Sequence, residues 1–400
     1  MGIYKIEEFG AKGDGKTINT DAIQKAIDTC NENGGGKIIF SSGNFKTGTI
    51  ELKSNVQLHL EPGCKIVGSE DIGDYKDLGA DGFLMEKIEP KRELTKNALI
   101  IASESENISI TGFGEINGSG PSFYKGVSYD ENGNYNKPNI SRPRIIIFYK
   151  CKNVFIEGVK FVDSPCWTIW LMRCEDVNVH NIRIFGNRKM KNIDGIDVDA
   201  CKNVAISDCI MDTEDDCIAV RSIKNLYDEQ PVVCENITVS NCVLKTSCNG
   251  IRIGCPGDGV IQNCVFTNLV IESRRGIIFE HPKVYLPENI TSGADTHDIL
   301  FSNITIKCIQ SNIQSEVYLA PICLYIETGI KLTRLSDINF SNIKIIEGKG
   351  PIMIKGNEET KIYNITFNNL EMENSGENGI VCCNYENIKF NNLKLTNKTK

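Results

Sequence analysis

Residues 211–222, MDTEDDCIAVRS, set two carboxyl groups side by side, Asp215 and Asp216, with Glu214 before them and the apolar run Cys217-Ile218-Ala219-Val220 behind. Adjacent carboxylates repel, and the approach to an apolar strand removes them partly from water. Both effects push one of the pair toward its protonated form. One acid holding a proton beside one that is ionised is the combination that glycosidic bond hydrolysis needs. Clustered acids also suit calcium, so the residue types alone leave both uses open.

The elements that position this pair follow from an internal repeat. An Asn or Asp, a β-branched residue, a polar residue and Ile or Val recur as NISITGFGEI, NVFIEGVKFV, DVNVHNIRIF, NVAISDCIMD, NITVSNCVLK, GVIQNCVFTNLVI, DILFSNITIK, DINFSNIKII, NITFNNLEME and NIKFNNLKLT. Marked at Ile108, Val154, Val177, Val204, Ile237, Val260, Ile299, Ile338, Ile365 and Ile388, the steps have a minimum of 23 residues and one of 46. Strands this short cannot bury an apolar face alone, but stacked as coils they bury one continuously. The expected fold is all-β: a right-handed parallel β-helix, or solenoid, forming one domain over residues 1–400. A cap region occupies residues 1–50. Its helix starts at Thr20 or Asp21, carries Ala22, Ile23, Ala26, Ile27 and Cys30 at helical spacing, and stops at three glycines.

Four consecutive strands, DGIDVDA from Asp194, DCIAVRS from Asp216, NGIRIGC from Asn249 and RGIIFEH from Arg275, align without gaps across the catalytic coils, residues 190–285. Their third and fifth residues are apolar and point inward, so the others form outward columns about 4.8 Å apart. The columns read Asp194, Asp216, Asn249, Arg275; then Asp197, Ala219, Arg252, Ile278; then Asp199, Arg221, Gly254, Glu280. Asp194 is thereby expected one coil from Asp215 and Asp216, which makes a three-carboxylate groove.

At these residues the chain resembles glycoside hydrolase family 28, the polygalacturonase-like enzymes. NIDGIDVDACKNV resembles the family's Asn-Thr-Asp-Gly motif with Ile193 for Thr, and DTEDDCIAV resembles its Asp-Asp motif. RPRIIIFYKCKNVFIEGVKFVDSPCWTIWL resembles the preceding coils, with Trp167 and Trp170 beside the site. The resemblance implies hydrolysis with inversion, Asp215 as general acid, and Asp194 and Asp216 positioning and deprotonating water. Asn192 and Trp167 are expected among the substrate contacts. Two positions depart from the pattern. The family's Gly-His-Gly falls on Cys248-Asn249-Gly250, and its carboxylate-binding Arg-Ile-Lys falls on Ile278-Phe279-Glu280. Arg252 and Arg221 stand in the columns of the lost cations and Arg274 and Arg275 lie next to the motif, so a displaced anionic or strongly hydrogen-bonding sugar is expected. His281 is a candidate for the missing imidazole.

The net charge of −8, without a long basic run, argues against a nucleic-acid partner, and no stretch has the length of a membrane span. The 17 cysteines recur singly inside strand-like runs, where a free thiol behaves as a small hydrophobe. With the absence of a leader-like start, this leads to the expectation of a cytoplasmic protein. No metal or other cofactor is expected, and the partner is an oligosaccharide or glycoside; the sequence does not decide the oligomeric state. Other readings are a polysaccharide lyase or epimerase on the same fold and a non-catalytic carbohydrate-binding β-helix.

Overall fold

The computed structural model describes residues 2–78, 96–224, 227, 230–282, 293–312, 315–374 and 379–397. The chain divides into two compact units. The first runs to Asp197 and includes Cys201–Glu214; the second comprises Val198–Ala200 and the chain from Asp215 onward.

In the first unit three columns of parallel strands stack coil on coil. One contains Gly2–Lys5, Gly36–Phe40, Val56–Leu60, Glu106–Gly112, Lys152–Glu157, Glu175–His180 and Lys202–Ser207. A second runs from Asp14–Ile18 through Gly43–Thr47, Cys64–Gly68, Glu115–Asn117, Lys160–Val162 and Arg183–Phe185 to Ile210–Thr213. The third holds Ile50–Glu51, Ala98–Ser103, Arg144–Tyr149 and Ile169–Met172. The helix Thr20–Glu32 packs Ile23, Ala26, Ile27 and Cys30 inward, as its periodicity predicts. Its N-cap, however, is Asn19. That side chain is turned away from the helix, accepting from Lys12 N and donating to the carbonyls of Lys12, Thr17 and Lys46. Tertiary bonds have outcompeted local capping.

In the second unit one column contains Val233–Ser240, Val260–Ser273, Ile299–Cys308, Arg334–Gly348, Ile362–Asn374 and Tyr385–Asn397. Another contains Ile218–Ser222, Asn249–Gly257, Arg275–His281, Ile322–Ile326, Ile352–Lys355 and Ile380–Cys383. Parallel strands joined by crossovers on one side are the architecture of a parallel β-helix.

The Asn-rich repeat has a backbone cause. Asn107, Asn153, Asp176, Asn203, Asn236, Asn263, Asp298, Asp337, Asn364 and Asn387 all sit at φ 52–59°, the left-handed region that Asn and Asp tolerate. Each turns the chain just before an inward residue. The asparagine amides donate from coil to coil, as Asn153 to Asn107 at 2.7 Å and Asn387 to Asn364 at 2.7 Å. This ladder also corrects one repeat marker. Ile237 pairs with Cys264, not Val260, because a cysteine fills the inward position after Asn263. In the second unit Phe266, Phe301, Phe340, Phe367 and Phe390 stack at 4.6–5.0 Å with planes within 6–11°. Near-parallel rings at that spacing reflect the strand separation imposed on them, since free aromatic pairs favour offset or edge contacts.

Candidate active site

The register of the second unit places Asn249 opposite Arg275, Arg252 opposite Ile278, and Ala219 opposite Arg252, as the column alignment predicts. The last column fails. After Val220 the register shifts, and Ser222 pairs with Gly257. Extra residues bulge out of the Asn249–Gly257 strand beyond Gly254, which sits at φ +80°, so Arg221 and Gly254 do not keep the column. The outward faces are also not open surface. All seven residues from Arg275 to His281 are buried.

Five of these side chains close a ring. Asn249 Nδ2 donates to Asp216 Oδ1 at 2.5 Å, and its Oδ1 accepts from Arg275 Nε at 2.7 Å. Arg275 Nη2 donates to Glu280 Oε2 at 3.2 Å, Arg252 Nη2 lies 3.5 Å from the same oxygen, and Arg252 Nη1 returns to Asp216 Oδ2 at 3.4 Å. Arg221 Nη2 approaches Asp216 Oδ2 at 3.8 Å. A guanidinium only donates and a carboxylate only accepts, so an amide, which does both, fits between Arg275 and Asp216. The two departures from the family pattern, Asn249 and Glu280, are thus members of one network. Asn249 links a cation to an acid, and Glu280 sets one negative charge between the two arginines it touches. Burial works against the charge on Arg275, but Glu280 outweighs it with help from Cys248, and the net shift is upward.

Asp215 differs from its neighbour. It is half-buried, whereas Asp216 is 1% exposed. Burial first, and the adjacent charge of Asp216 second, hold its carboxyl above the ordinary carboxylate range, against the pull of Arg252, Cys248 and Arg221. Its backbone is fixed by Thr246, whose hydroxyl donates to the Asp215 carbonyl and accepts from Cys248 N. Donor atoms of Asp215, Asp216 and Cys248 lie within 4.8 Å of one another. Two carboxylates and a thiol beside Arg221, Arg252 and Arg274 do not suit calcium, which takes about six to eight oxygen ligands and is repelled by neighbouring cations. The Cys248 thiol instead accepts from Arg274 Nη2 at 3.1 Å and bonds to Asp215. Arg274 is partly exposed.

Burial revises the expected substrate contacts. Asn249, Arg221, Arg275, Glu280 and His281 are each 4% exposed or less, and the first four pair with Asp216 or with one another behind the exposed residues. Asp215, Arg252 and Arg274 retain exposure. His281 has both ring nitrogens without a hydrogen-bond partner among the described residues, and its ring lies where a Cβ on Gly254 would clash. Burial depresses its pKa from 6.5 to about 4, so it is neutral near pH 7. The folded state then binds fewer protons than the unfolded chain between those values, and stability falls as pH drops through that window. The expected loss is about 3 kcal/mol. Urea unfolding at neutral pH and near pH 4 measures it. His281→Leu should shrink the difference between the two pH values, and an unchanged difference would refute the assignment.

In the first unit, Asp194 is 2% exposed, and its carbonyl accepts from Thr168 Oγ1 at 2.8 Å and Thr168 N at 3.0 Å. Arg144 is buried with its guanidinium 4.7 Å from the ring centres of both Trp167 and Trp170. Those rings meet edge to face at 5.4 Å. Burial lowers the Arg144 pKa, against Cys166, Asp197 and Asp194, whose charges favour the cation. Arg142 donates to Tyr124 Oη, to the Pro165 carbonyl at 3.2 Å, to the Lys191 carbonyl at 2.6 Å and to Asn192 Oδ1 at 3.2 Å. Asn192, at φ 61°, donates its N–H to Glu214 at 3.0 Å. The turn leading into Asp194 is therefore fixed from both sides, and Asn192 serves that turn. Sequence reasoning missed Arg142 and Arg144. Their signal was present as RPR, two arginines two residues apart before the apolar strand IIIFY.

The profile of glycosyl hydrolases family 28 matches residues 30–230, half of the chain. A probable polygalacturonase of Arabidopsis thaliana is 30% identical over 54% of this chain, and the match spans 42% of the relative's length. An exo-poly-alpha-D-galacturonosidase of Dickeya chrysanthemi is 25% identical over 99% of this chain and 71% of its own. Among solved structures, a hyperthermoactive exopolygalacturonase from Thermotoga maritima superposes with a TM-score of 0.79 at 24% identity. It covers 100% of this chain and 92% of that one, a likeness of fold.

Proposed function

The chain belongs to glycosyl hydrolases family 28, and from that premise we propose that it hydrolyses glycosidic bonds of pectic oligosaccharides with inversion. The observation that carries this reading is the divided pair: Asp215, half-buried with a raised pKa, beside Asp216, buried among donors. In this reading Asp215 gives its proton to the departing glycosidic oxygen. Asp216, whose contacts all donate to it, takes a proton from the attacking water. Asp194, at the family's Asn-Thr-Asp-Gly position, shares the orientation of that water; its role rests on the motif.

An acidic sugar suits the surrounding charge. With Asp215 protonated, the guanidiniums of Arg221, Arg252, Arg274 and Arg275 outnumber the carboxylates of Asp216 and Glu280. Arg252 and Arg274, the two with exposure, are the proposed holders of the substrate carboxylate. The free thiols, most of them buried, fit a reducing compartment such as the cytoplasm, which fractionation of the native host would test.

A panel of galacturonate oligomers and neutral oligosaccharides tests the reading. Reducing ends should appear only with the acidic set and be unaffected by a chelator, and Arg274→Ala should raise KM about tenfold, the scale of one charge-assisted bond. An unsaturated product, or loss of activity with chelator, would favour a lyase.

A further inference from the structure

Residues 125–143, between the turn Gly120–Tyr124 and the strand Arg144–Tyr149, form a connection too long to be a mere link. Part of it is a rigid hairpin. Tyr129 bridges Tyr135 in antiparallel fashion, Asp130 N donates to Asn134 O at 2.7 Å, and Asn136 N donates to Ser128 O at 2.8 Å. The Asp130 carboxylate accepts from the N–H groups of Asn132 and Asn134, both at 2.9 Å. Three rings run from core to surface: Tyr124 is 1% exposed, Tyr135 lies 5.1 Å from it, and Tyr129 stacks on Tyr135 at 4.6 Å and 28°. Tyr129 covers one face on Tyr135 and remains 56% exposed.

The hairpin is fastened to the turn that precedes Asp194. Tyr135 N donates to Lys189 O at 2.8 Å, and Lys191 Nζ pairs with Asp130 at 3.2 Å. The Tyr124 hydroxyl lies 3.0 Å from both the N–H and the carbonyl of Lys191. Lys189 is exposed, and its charge acts on the Tyr135 hydroxyl. The hairpin thus presents a partly exposed aromatic face beside the turn that precedes Asp194 and beside the cation of Lys189.

We propose that the open face of Tyr129 is a subsite that stacks a pyranose ring of the oligosaccharide, with Lys189 serving that ring's carboxylate. The assignment rests on the proposed hydrolase reading. The hairpin orders the platform before binding, so the sugar loses little to loop ordering. Loss of one stacked ring is expected to read as about a tenfold fall in affinity.

The test uses the full chain with oligogalacturonates of increasing length, comparing the wild type with Tyr129→Ala and Tyr129→Phe. Tyr129→Ala should lose kcat/KM increasingly as the oligomer lengthens, reaching about tenfold and residing in KM, and Tyr129→Phe should restore most of it. Calorimetry with the longest oligomer should show the same loss of affinity. An equal loss at every length, or no loss, overturns the subsite, as does an altered oligomeric state with unchanged kinetics, which would mark a protein contact. Binding that depends on Tyr129 without hydrolysis overturns the hydrolase reading and keeps the subsite. Absence of binding overturns the subsite.

Discussion

Asp215→Asn should lower kcat by about 10²–10⁴-fold on any true substrate, because the amide cannot supply the proton that the leaving oxygen needs. The same change should stabilise the fold at neutral pH. The raised Asp215 pKa means that the folded state binds a proton more tightly than the unfolded chain. Stability is then highest below the ordinary carboxylate pKa and declines as pH rises through the raised value. Asparagine carries no such charge, so its unfolding midpoint should exceed that of the wild type at neutral pH and match it more closely in acid. The activity of the wild type should likewise fall as pH rises past the Asp215 pKa, since only the protonated form donates. A variant that is inactive but less stable at neutral pH would show that the carboxyl is held for structure.

Glu280→Ala has the largest expected cost in stability. Glu280 Oε2 meets Arg275 at 3.2 Å and Arg252 at 3.5 Å, with side-chain exposures of 5, 3 and 12% for the three residues. Removing one partner of such a buried network leaves its charges uncompensated, about 3–5 kcal/mol. Glu280→Gln keeps an acceptor and should cost less, about 1–3 kcal/mol. The chemistry should suffer as well. Arg275 orients Asn249, and Asn249 orients Asp216, so a small displacement should lower kcat by about 10²-fold. Urea unfolding and initial rates on the two variants check both parts. If Glu280→Ala unfolds at the wild-type midpoint, the ring is not a unit.

The sequence showed the coils clearly because their cause is local. An Asn or Asp in the left-handed region stands before the inward residue of one strand in each coil, so the period and most registers could be read directly. Asp215 and Asp216 were legible for the same reason, since two acids entering an apolar strand conflict with packing. What failed was nonlocal. The bulge after Gly254 and the shift of the repeat marker to Cys264 depend on neighbouring coils. The burial of Asn249, Arg275 and Glu280 depends on what covers their strands, which alternation within a strand cannot reveal. Arg142 and the Tyr129 hairpin lie outside the strand columns, and Arg144 opens a strand buried along its whole length, where alternation gives no sign of a buried cation.

The most direct test is reducing-end release from oligogalacturonates by the wild type and Asp215→Asn, followed across pH together with ultraviolet absorbance. Hydrolysis through a proton-holding Asp215 gives new reducing ends without an absorbing unsaturated product, a rate that declines on the alkaline side, and near-loss of turnover in the variant. An absorbing product, or an Asp215→Asn variant as active as the wild type, would contradict it.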